Sequence, residues 1–112
     1  MNRIALLILI MGTSTAAAVE KPLYFLDGNQ LHDMCKSNSR LVSGYVMGFS
    51  DAVSVTDEIG KKISICAPPS VKSGQLVDVV CRELDSHPES RHRNASYIVL
   101  QALQHAWPCG NQ

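Results

Sequence analysis

The stretch HPESRHRNASYIVLQALQHAWPCG (87–110) decides the fold predicted for this chain. It opens with a polar turn, continues as an apolar stripe at helical spacing, and closes with a proline followed by a cysteine. The stripe is formed by Ala95, Ile98, Val99, Ala102, Leu103 and Ala106. Pro108 should end the helix, because proline cannot continue it. The stretch therefore predicts a helix whose C-terminal end is fixed by Cys109.

Two upstream helices are predicted from their N-terminal caps. Asp27 and Gln30 have the spacing of a capping box, so the first helix should begin at Asp27. Ser73 precedes another apolar stripe and is predicted to cap the third helix.

The second predicted helix, from about residue 40 to residue 58, carries a ridge of small residues. Gly44, Gly48 and Ala52 follow one another at intervals of four and therefore share one helix face. Each glycine destabilises a helix by about 1 kcal/mol relative to alanine. We expect the close approach of another helix to offset this, from the same chain or from a second copy. Residues 61–72 then lack a helical pattern and are predicted to form a loop tied down by Cys66.

The N-terminus has the features of a secretory signal peptide. Arg3 supplies a positive charge, residues 4–11 form an apolar run, and residues 16–18 are three alanines that suit cleavage. The apolar run is much shorter than the roughly 20 residues that cross a bilayer as a helix. We therefore expect residues 1–18 to be removed, leaving one exported domain at 19–112 with no membrane attachment.

Four cysteines lie in the predicted mature part: Cys35, Cys66, Cys81 and Cys109. An even number of cysteines in a short exported chain indicates disulfides, and the sequence by itself allows three pairings. A metal-binding or reactive cysteine is the alternative, but no C-x-x-C spacing occurs. The prediction is an all-α, compact four-helix domain stapled by two disulfides. The capping-box spacing of Ser86 and Glu89 would start a short fifth helix.

The residue pattern does not indicate an enzyme. No glycine-rich phosphate loop, G-x-S-x-G or H-E-x-x-H motif occurs. The H-x4-H spacing places His87 and His92 on different faces of a helix and no third ligand stands out, so we expect no metal and no other cofactor. Ten Lys and Arg residues balance ten Asp and Glu residues, and no basic patch points to nucleic acid. A binding function is the class that remains.

The longest wholly polar stretch is DSHPESRHR (85–93), which we call the polar segment. It could be an ordinary solvated connection between helices. Alternatively, Arg91 or His92 could turn inward to bond the ends of neighbouring helices. It could also be a preorganised loop that binds a partner, since disulfides would lower the cost of ordering it. The candidate partner-binding residues are Asp85, Ser86, His87, Glu89, Ser90, Arg91, His92 and Arg93.

Four motifs make the chain resemble the Rap/Tai immunity proteins, which protect bacteria against peptidoglycan amidases delivered by type VI secretion. The motifs are DGNQLHDMC (27–35), SGYVMGFSDA (43–52), ICAPPSVKSGQLVDVV (65–80) and HPESRHRNASYIVLQALQHAWPC (87–109). The last motif is the most specific, through its HPE-x-RH entry and its terminal Pro-Cys. Together the motifs span nearly the whole predicted mature chain.

The resemblance implies a non-catalytic, all-helical periplasmic protein that is often a homodimer. Its partner would be a cognate secreted cell-wall amidase, whose papain-like cysteine active site it would occlude to protect the producer and its kin. Helix-connecting loops make such contacts in the family, which favours the polar segment as the partner-binding surface. Within that segment, Glu89, Arg91 and His92 are expected to matter most.

The resemblance also bears on the disulfides. The family commonly has a cysteine just before the Gly-Tyr of the second helix, where this chain has Val42. This chain instead has Cys81 on the third helix. We therefore expect a family-type bridge between Cys66 and Cys109, and a compensating bridge between Cys35 and Cys81.

A second class of function stays open, that of an acid-stress periplasmic chaperone, which is also small, helical and disulfide-bonded. Such a protein should loosen at low pH and expose apolar surface. The four histidines of this chain are consistent with pH sensitivity. An amidase gene next to its own would favour immunity, whereas holdase activity at about pH 2–3 would favour the chaperone.

Overall fold

The computed structural model describes Gly12, residues 16–18 and residues 23–110. Most of the predicted signal peptide (1–18) lies outside the described residues, so its removal stays a prediction. Four α-helices follow in chain order: α1 (Gly28–Ser37), α2 (Ser39–Glu58), α3 (Ser73–Ser86) and α4 (Ala95–Ala106). A 3-10 turn at Pro88–Ser90 lies between α3 and α4 and is the short fifth element. The described residues form no strand, and the all-α prediction is confirmed.

At the start of α1 and of α3, side-chain oxygens accept hydrogen bonds from backbone N–H groups that have no partner within the helix. In α1, Asp27 Oδ1 accepts a hydrogen bond from the Gln30 N–H at 2.9 Å, and Gln30 Oε1 accepts from the Asp27 N–H at 3.0 Å. The predicted capping box is therefore confirmed. The predicted Ser73 cap is wrong by one residue, because Ser73 is already helical and Lys72 is the cap. There Gln75 Oε1 accepts from the Lys72 N–H at 2.8 Å.

One apolar core joins the four helices. Helix α4 contributes the most to it, and α2 contributes only two fully buried side chains. The buried apolar residues are Leu31, Val42, Val46, Val80, Leu84, Ala95, Ile98, Val99, Ala102 and Leu103. Ala106, which was predicted on the same stripe, is exposed because it lies in the last turn of α4, beyond the core. Among the described residues, no helix has both the length and the apolar character to cross a bilayer.

Both predicted disulfides are confirmed. Cys35–Cys81 joins α1 to α3 across a Cα–Cα distance of 5.8 Å. Cys66–Cys109 joins the connection between α2 and α3 to the chain after α4, with a Cα–Cα distance of 5.0 Å. On the chain-entropy model, a bridge closing a loop of this length stabilises the fold by about 4 kcal/mol. That is a large contribution for a domain of this size.

No other helix of the described residues packs closely on the small-residue ridge of α2 (Gly44, Gly48, Ala52). A Cβ built on Gly44 or Gly48 meets no packed neighbour within 4 Å among the described residues, and Ala52 is exposed. The expectation that another helix of the same chain packs closely on this ridge is therefore wrong. The physical reason is that α2 turns a different face, with Val42 and Val46, toward the core. Packing of a second copy on the ridge stays a prediction.

The close approach that requires a glycine occurs instead at Gly28, the first residue of α1. A Cβ at this position would lie 2.5 Å from Ile98 Cδ1, 2.7 Å from Arg91 O and 2.8 Å from Arg91 Cα. The two Arg91 atoms are backbone atoms, so they cannot move aside by a change of rotamer. Gly28 thus allows α1 to contact both α4 and the polar segment.

We expect Gly28→Ala to lower the free energy of unfolding by about 1–3 kcal/mol, because the added methyl group would overlap backbone atoms of Arg91. Gly74→Ala is the matched control, since a Cβ on Gly74 meets nothing within 4 Å. That control should be neutral or stabilise the protein by up to about 1 kcal/mol. Urea denaturation measures both, and equal stability of the two variants would contradict the packing described for Gly28.

Candidate functional site: the polar segment

The backbone of the polar segment (85–93) is held by the first residues of α1. The Gly28 N–H donates to Arg93 O at 2.9 Å, and the Asn29 N–H donates to Arg91 O at 3.0 Å. The first N–H groups of a helix have no partner within it. These bonds therefore give two N–H groups of α1 an acceptor, and they also fix the backbone of the segment. Next to them, the Ala95 N–H donates to Leu26 O at 3.0 Å. The C-terminal half of the segment therefore has a defined path.

Arg91 points inward to the C-terminal end of α3. Its Nε donates to Leu84 O at 2.6 Å, and its terminal nitrogen donates to Asp85 O at 3.3 Å. The last carbonyls of a helix lack partners within it and favour a nearby cation. Of the alternatives left open by the sequence, the inward orientation is therefore confirmed for Arg91. This side chain holds the polar segment against α3.

His32 of α1 forms a hydrogen bond with Asp85, the first residue of the segment. It is the one buried polar side chain of the described residues, with 6% of its surface exposed. Its Nε2 donates to Asp85 Oδ1 at 2.7 Å. This hydrogen bond is the main reason that the pKa of the Asp85 carboxyl lies below its ordinary value. Sequence reasoning missed His32, since its acceptor lies 53 positions away and no local pattern connects the two residues.

His87 lies between two carboxylates at the exposed tip of the segment. Its Nδ1 donates to Glu89 Oε1 at 3.0 Å, and its Nε2 lies 3.8 Å from Glu83 Oε1. The bond to Glu89 and then the charge of Glu83 raise the pKa of His87. A hydrogen bond from its own backbone and then the bond from His87 lower the pKa of Glu89. The predicted capping box of Ser86 and Glu89 is wrong, because α3 continues through Ser86 and Glu89 bonds His87 instead.

Arg93 and Tyr97 form a cation–π pair at the other end of the segment. The guanidinium carbon of Arg93 lies 4.1 Å from the centroid of the Tyr97 ring. Both side chains are exposed, and 41% of the Tyr97 surface is open. Sequence reasoning missed Tyr97, although its i, i+4 spacing from Arg93 was a usable signal.

The structure thus divides the predicted site residues into two groups. Arg91 and Ser90 are half-buried, and Asp85, although exposed, is bonded to His32. The second group is exposed and makes no bond to a buried side chain of another helix. Its members are Ser86, His87, Glu89, His92 and Arg93. His92 Nδ1 donates to Glu89 O at 3.0 Å, a local contact that orients its ring. Among the described residues, no group of three or more His, Cys, Asp or Glu side chains is placed to hold a metal.

A family model of the Rap1a immunity proteins matches residues 27–109. The chain belongs to the Rap1a immunity protein family. The predicted relationship to Rap/Tai immunity proteins is thereby confirmed. The match begins at the capping residue Asp27 and ends at Cys109 of the second disulfide, so it includes the whole polar segment. Comparisons with curated proteins and with solved structures gave no significant match.

We expect Arg91→Ala in this Rap1a family member to lower the free energy of unfolding by about 2 kcal/mol. The substitution leaves two carbonyls at the end of α3 without their charged donor. Arg93→Ala removes the same charge from an exposed side chain two positions away and should change stability by less than about 0.5 kcal/mol. Thermal denaturation at neutral pH checks both values. Equal losses in the two variants would show that Arg91 does not anchor the segment.

We expect His87 to titrate above its ordinary pKa of 6.5, because the leading cause of the shift is its hydrogen bond to the Glu89 carboxylate. Glu89→Gln should lower that pKa, since a neutral amide oxygen is a weaker acceptor for the imidazolium than a carboxylate. Since the folded-state pKa is raised, protonated His87 stabilises the fold fully below pH 6.5. This contribution is lost as the pH rises through the raised value. NMR titration of the imidazole signals measures the effect. A His87 pKa that is the same in Glu89→Gln and wild type would contradict the pairing.

Proposed function

We propose that this immunity protein acts in the periplasm, where it binds a cognate cell-wall amidase delivered by type VI secretion. Membership of the Rap1a family implies immunity to a secreted effector protein. The two disulfides support an oxidising compartment outside the cytoplasm, and the predicted signal peptide supports export to it. The amidase as target follows from the resemblance of the four sequence motifs to Rap/Tai proteins.

The observation that carries this proposal is the way in which the polar segment is held. Its backbone is bonded to α1, and Arg91 bonds it to α3. A loop that is already ordered loses less conformational entropy when it binds a partner. The same arrangement leaves His87, Glu89 and His92 exposed, so their side chains are available to the effector.

Inhibition in this proposal is steric and needs no chemical step by the immunity protein. The polar segment enters the active-site cleft of the amidase and excludes its peptidoglycan substrate. A Cys–His active site contains an imidazolium beside a thiolate. The Glu89 carboxylate suits this cation, because its partner His87 is exposed, whereas the Asp85 carboxylate is held by buried His32. Arg91 then acts as a positioning residue, because its guanidinium is engaged by carbonyls of α3.

We further propose that two copies pair through the small-residue ridge of α2. The space above Gly44 and Gly48 is open, and the nearby side chains of Leu41 and Met47 are 55% and 43% exposed. Small residues allow two helices to approach closely, and burial of the flanking apolar groups would offset the helix-destabilising glycines. The near-neutral composition of the chain does not oppose self-association.

The test is binding to, and inhibition of, the purified amidase encoded beside this gene. We expect a soluble complex in which amidase activity is lost. Glu89→Ala and His92→Ala should each raise the Kd at least about tenfold, since removing a central interface contact typically weakens binding by more than 1 kcal/mol. Glu58→Ala, which removes an exposed carboxylate at the end of α2, is the matched control and should bind like wild type.

Two outcomes would contradict the proposed function. In one, both polar-segment variants fold and inhibit the amidase as well as the wild type, which would place the interface elsewhere. In the other, the wild-type protein binds no amidase but prevents aggregation of unrelated proteins at about pH 2–3, which would favour the chaperone alternative.

A further inference from the structure

A shallow apolar groove of about 340 Å³ lies between α2 and α4. Phe49 and Val53 of α2 form one wall, Leu100 of α4 forms the other, and Ile63 from the following connection closes one end. These four side chains are half-buried, so part of each apolar surface remains open to solvent. Asn94 and Tyr97 also line the groove.

The groove is continuous with the polar segment. Asn94 directly follows the segment and lines the groove, and Arg93 of the segment lies over the ring of Tyr97. A second groove, between α3 and α4, also borders the segment at His87, but Arg82, Glu83 and His105 line it. The α2–α4 groove is therefore an apolar concavity that a partner bound to the polar segment would reach.

The polar segment by itself lacks the apolar core that a tight interface usually has. Pro88 is its one residue without a polar side chain. Tight protein interfaces usually combine a polar rim with a desolvated apolar core, and most of the binding energy comes from a few aromatic or arginine side chains. Tyr97 and Arg93 are residues of this kind, and they lie where the polar segment meets the groove.

We propose that the α2–α4 groove is a second contact site for the amidase, in which one aromatic or branched aliphatic side chain of the effector is buried. Arg93 makes no ion pair with a described residue. It therefore favours an effector carboxylate next to that apolar side chain. This inference rests on the proposed function, but it concerns a surface outside the polar segment, and the groove shares only Ala52 with the small-residue ridge of α2.

The experiment measures the Kd of the same purified amidase by calorimetry. Tyr97→Ala removes an aromatic side chain that lines the groove, and Thr56→Leu adds bulk at another lining position, where the Thr56 hydroxyl bonds Val53 O of its own helix. Both should raise the Kd at least about tenfold. Tyr97→Phe keeps the ring and should bind like wild type. Ile59→Ala removes an apolar side chain that is 65% exposed and does not line the groove, so it should also have no effect.

Circular dichroism and the absence of free thiols establish that each variant is folded. If Glu89→Ala weakens binding while Tyr97→Ala and Thr56→Leu do not, the groove assignment is overturned and the proposed function stands. If the groove variants change the molar mass in solution but not the Kd, the groove is a contact between two copies, which also overturns the assignment. If the wild-type protein binds no amidase, the proposed function fails and the groove assignment fails with it.

Discussion

The arrangement of this protein depends on a small set of backbone hydrogen bonds between the start of α1 and residues 91–93. Through them, Gly28 and Asn29 find acceptors for N–H groups that no helix can satisfy internally. The bonds can form only because Gly28 has no side chain, since a Cβ would overlap the Arg91 backbone. One residue without a side chain therefore couples the first helix to the connection between the last two.

The remaining anchors of the polar segment use side chains, and they connect it to two different helices. His32 reaches the Asp85 side chain from α1, and Arg91 reaches back to the carbonyls of Leu84 and Asp85. The Cys35–Cys81 disulfide keeps α1 beside α3, so the donor and the acceptor of the first anchor stay together. In a domain with ten buried apolar side chains, these crosslinks and polar contacts supply order that a larger core would otherwise provide.

The sequence revealed what short-range patterns encode. The Asp27–Gln30 capping box and the stripe of α4 depend on residues three or four positions apart, and the structure confirms the capping box and all of the stripe except Ala106. The pairing of Cys35 with Cys81 was also predicted, but from family resemblance. Features set by distant residues were missed: burial of His32 and the crowding at Gly28 depend on partners more than 50 positions away. The prediction that a helix of the same chain packs on the α2 ridge was wrong for a related reason. Periodicity shows that a helix has a face of small residues, but it does not show what lies opposite that face.

The separation of anchoring from exposed residues has a consequence for recognition. Arg91 is engaged by α3, so a change there removes bonds that hold the segment to that helix. His92 is held mainly by a local bond to Glu89 O, and Arg93 lies on the surface over Tyr97. Substitutions at these exposed positions can change the surface chemistry without removing a bond between helices. Under the proposed mode of binding, the choice of effector would change at little cost to folding, because stability and specificity would depend on adjacent but different side chains.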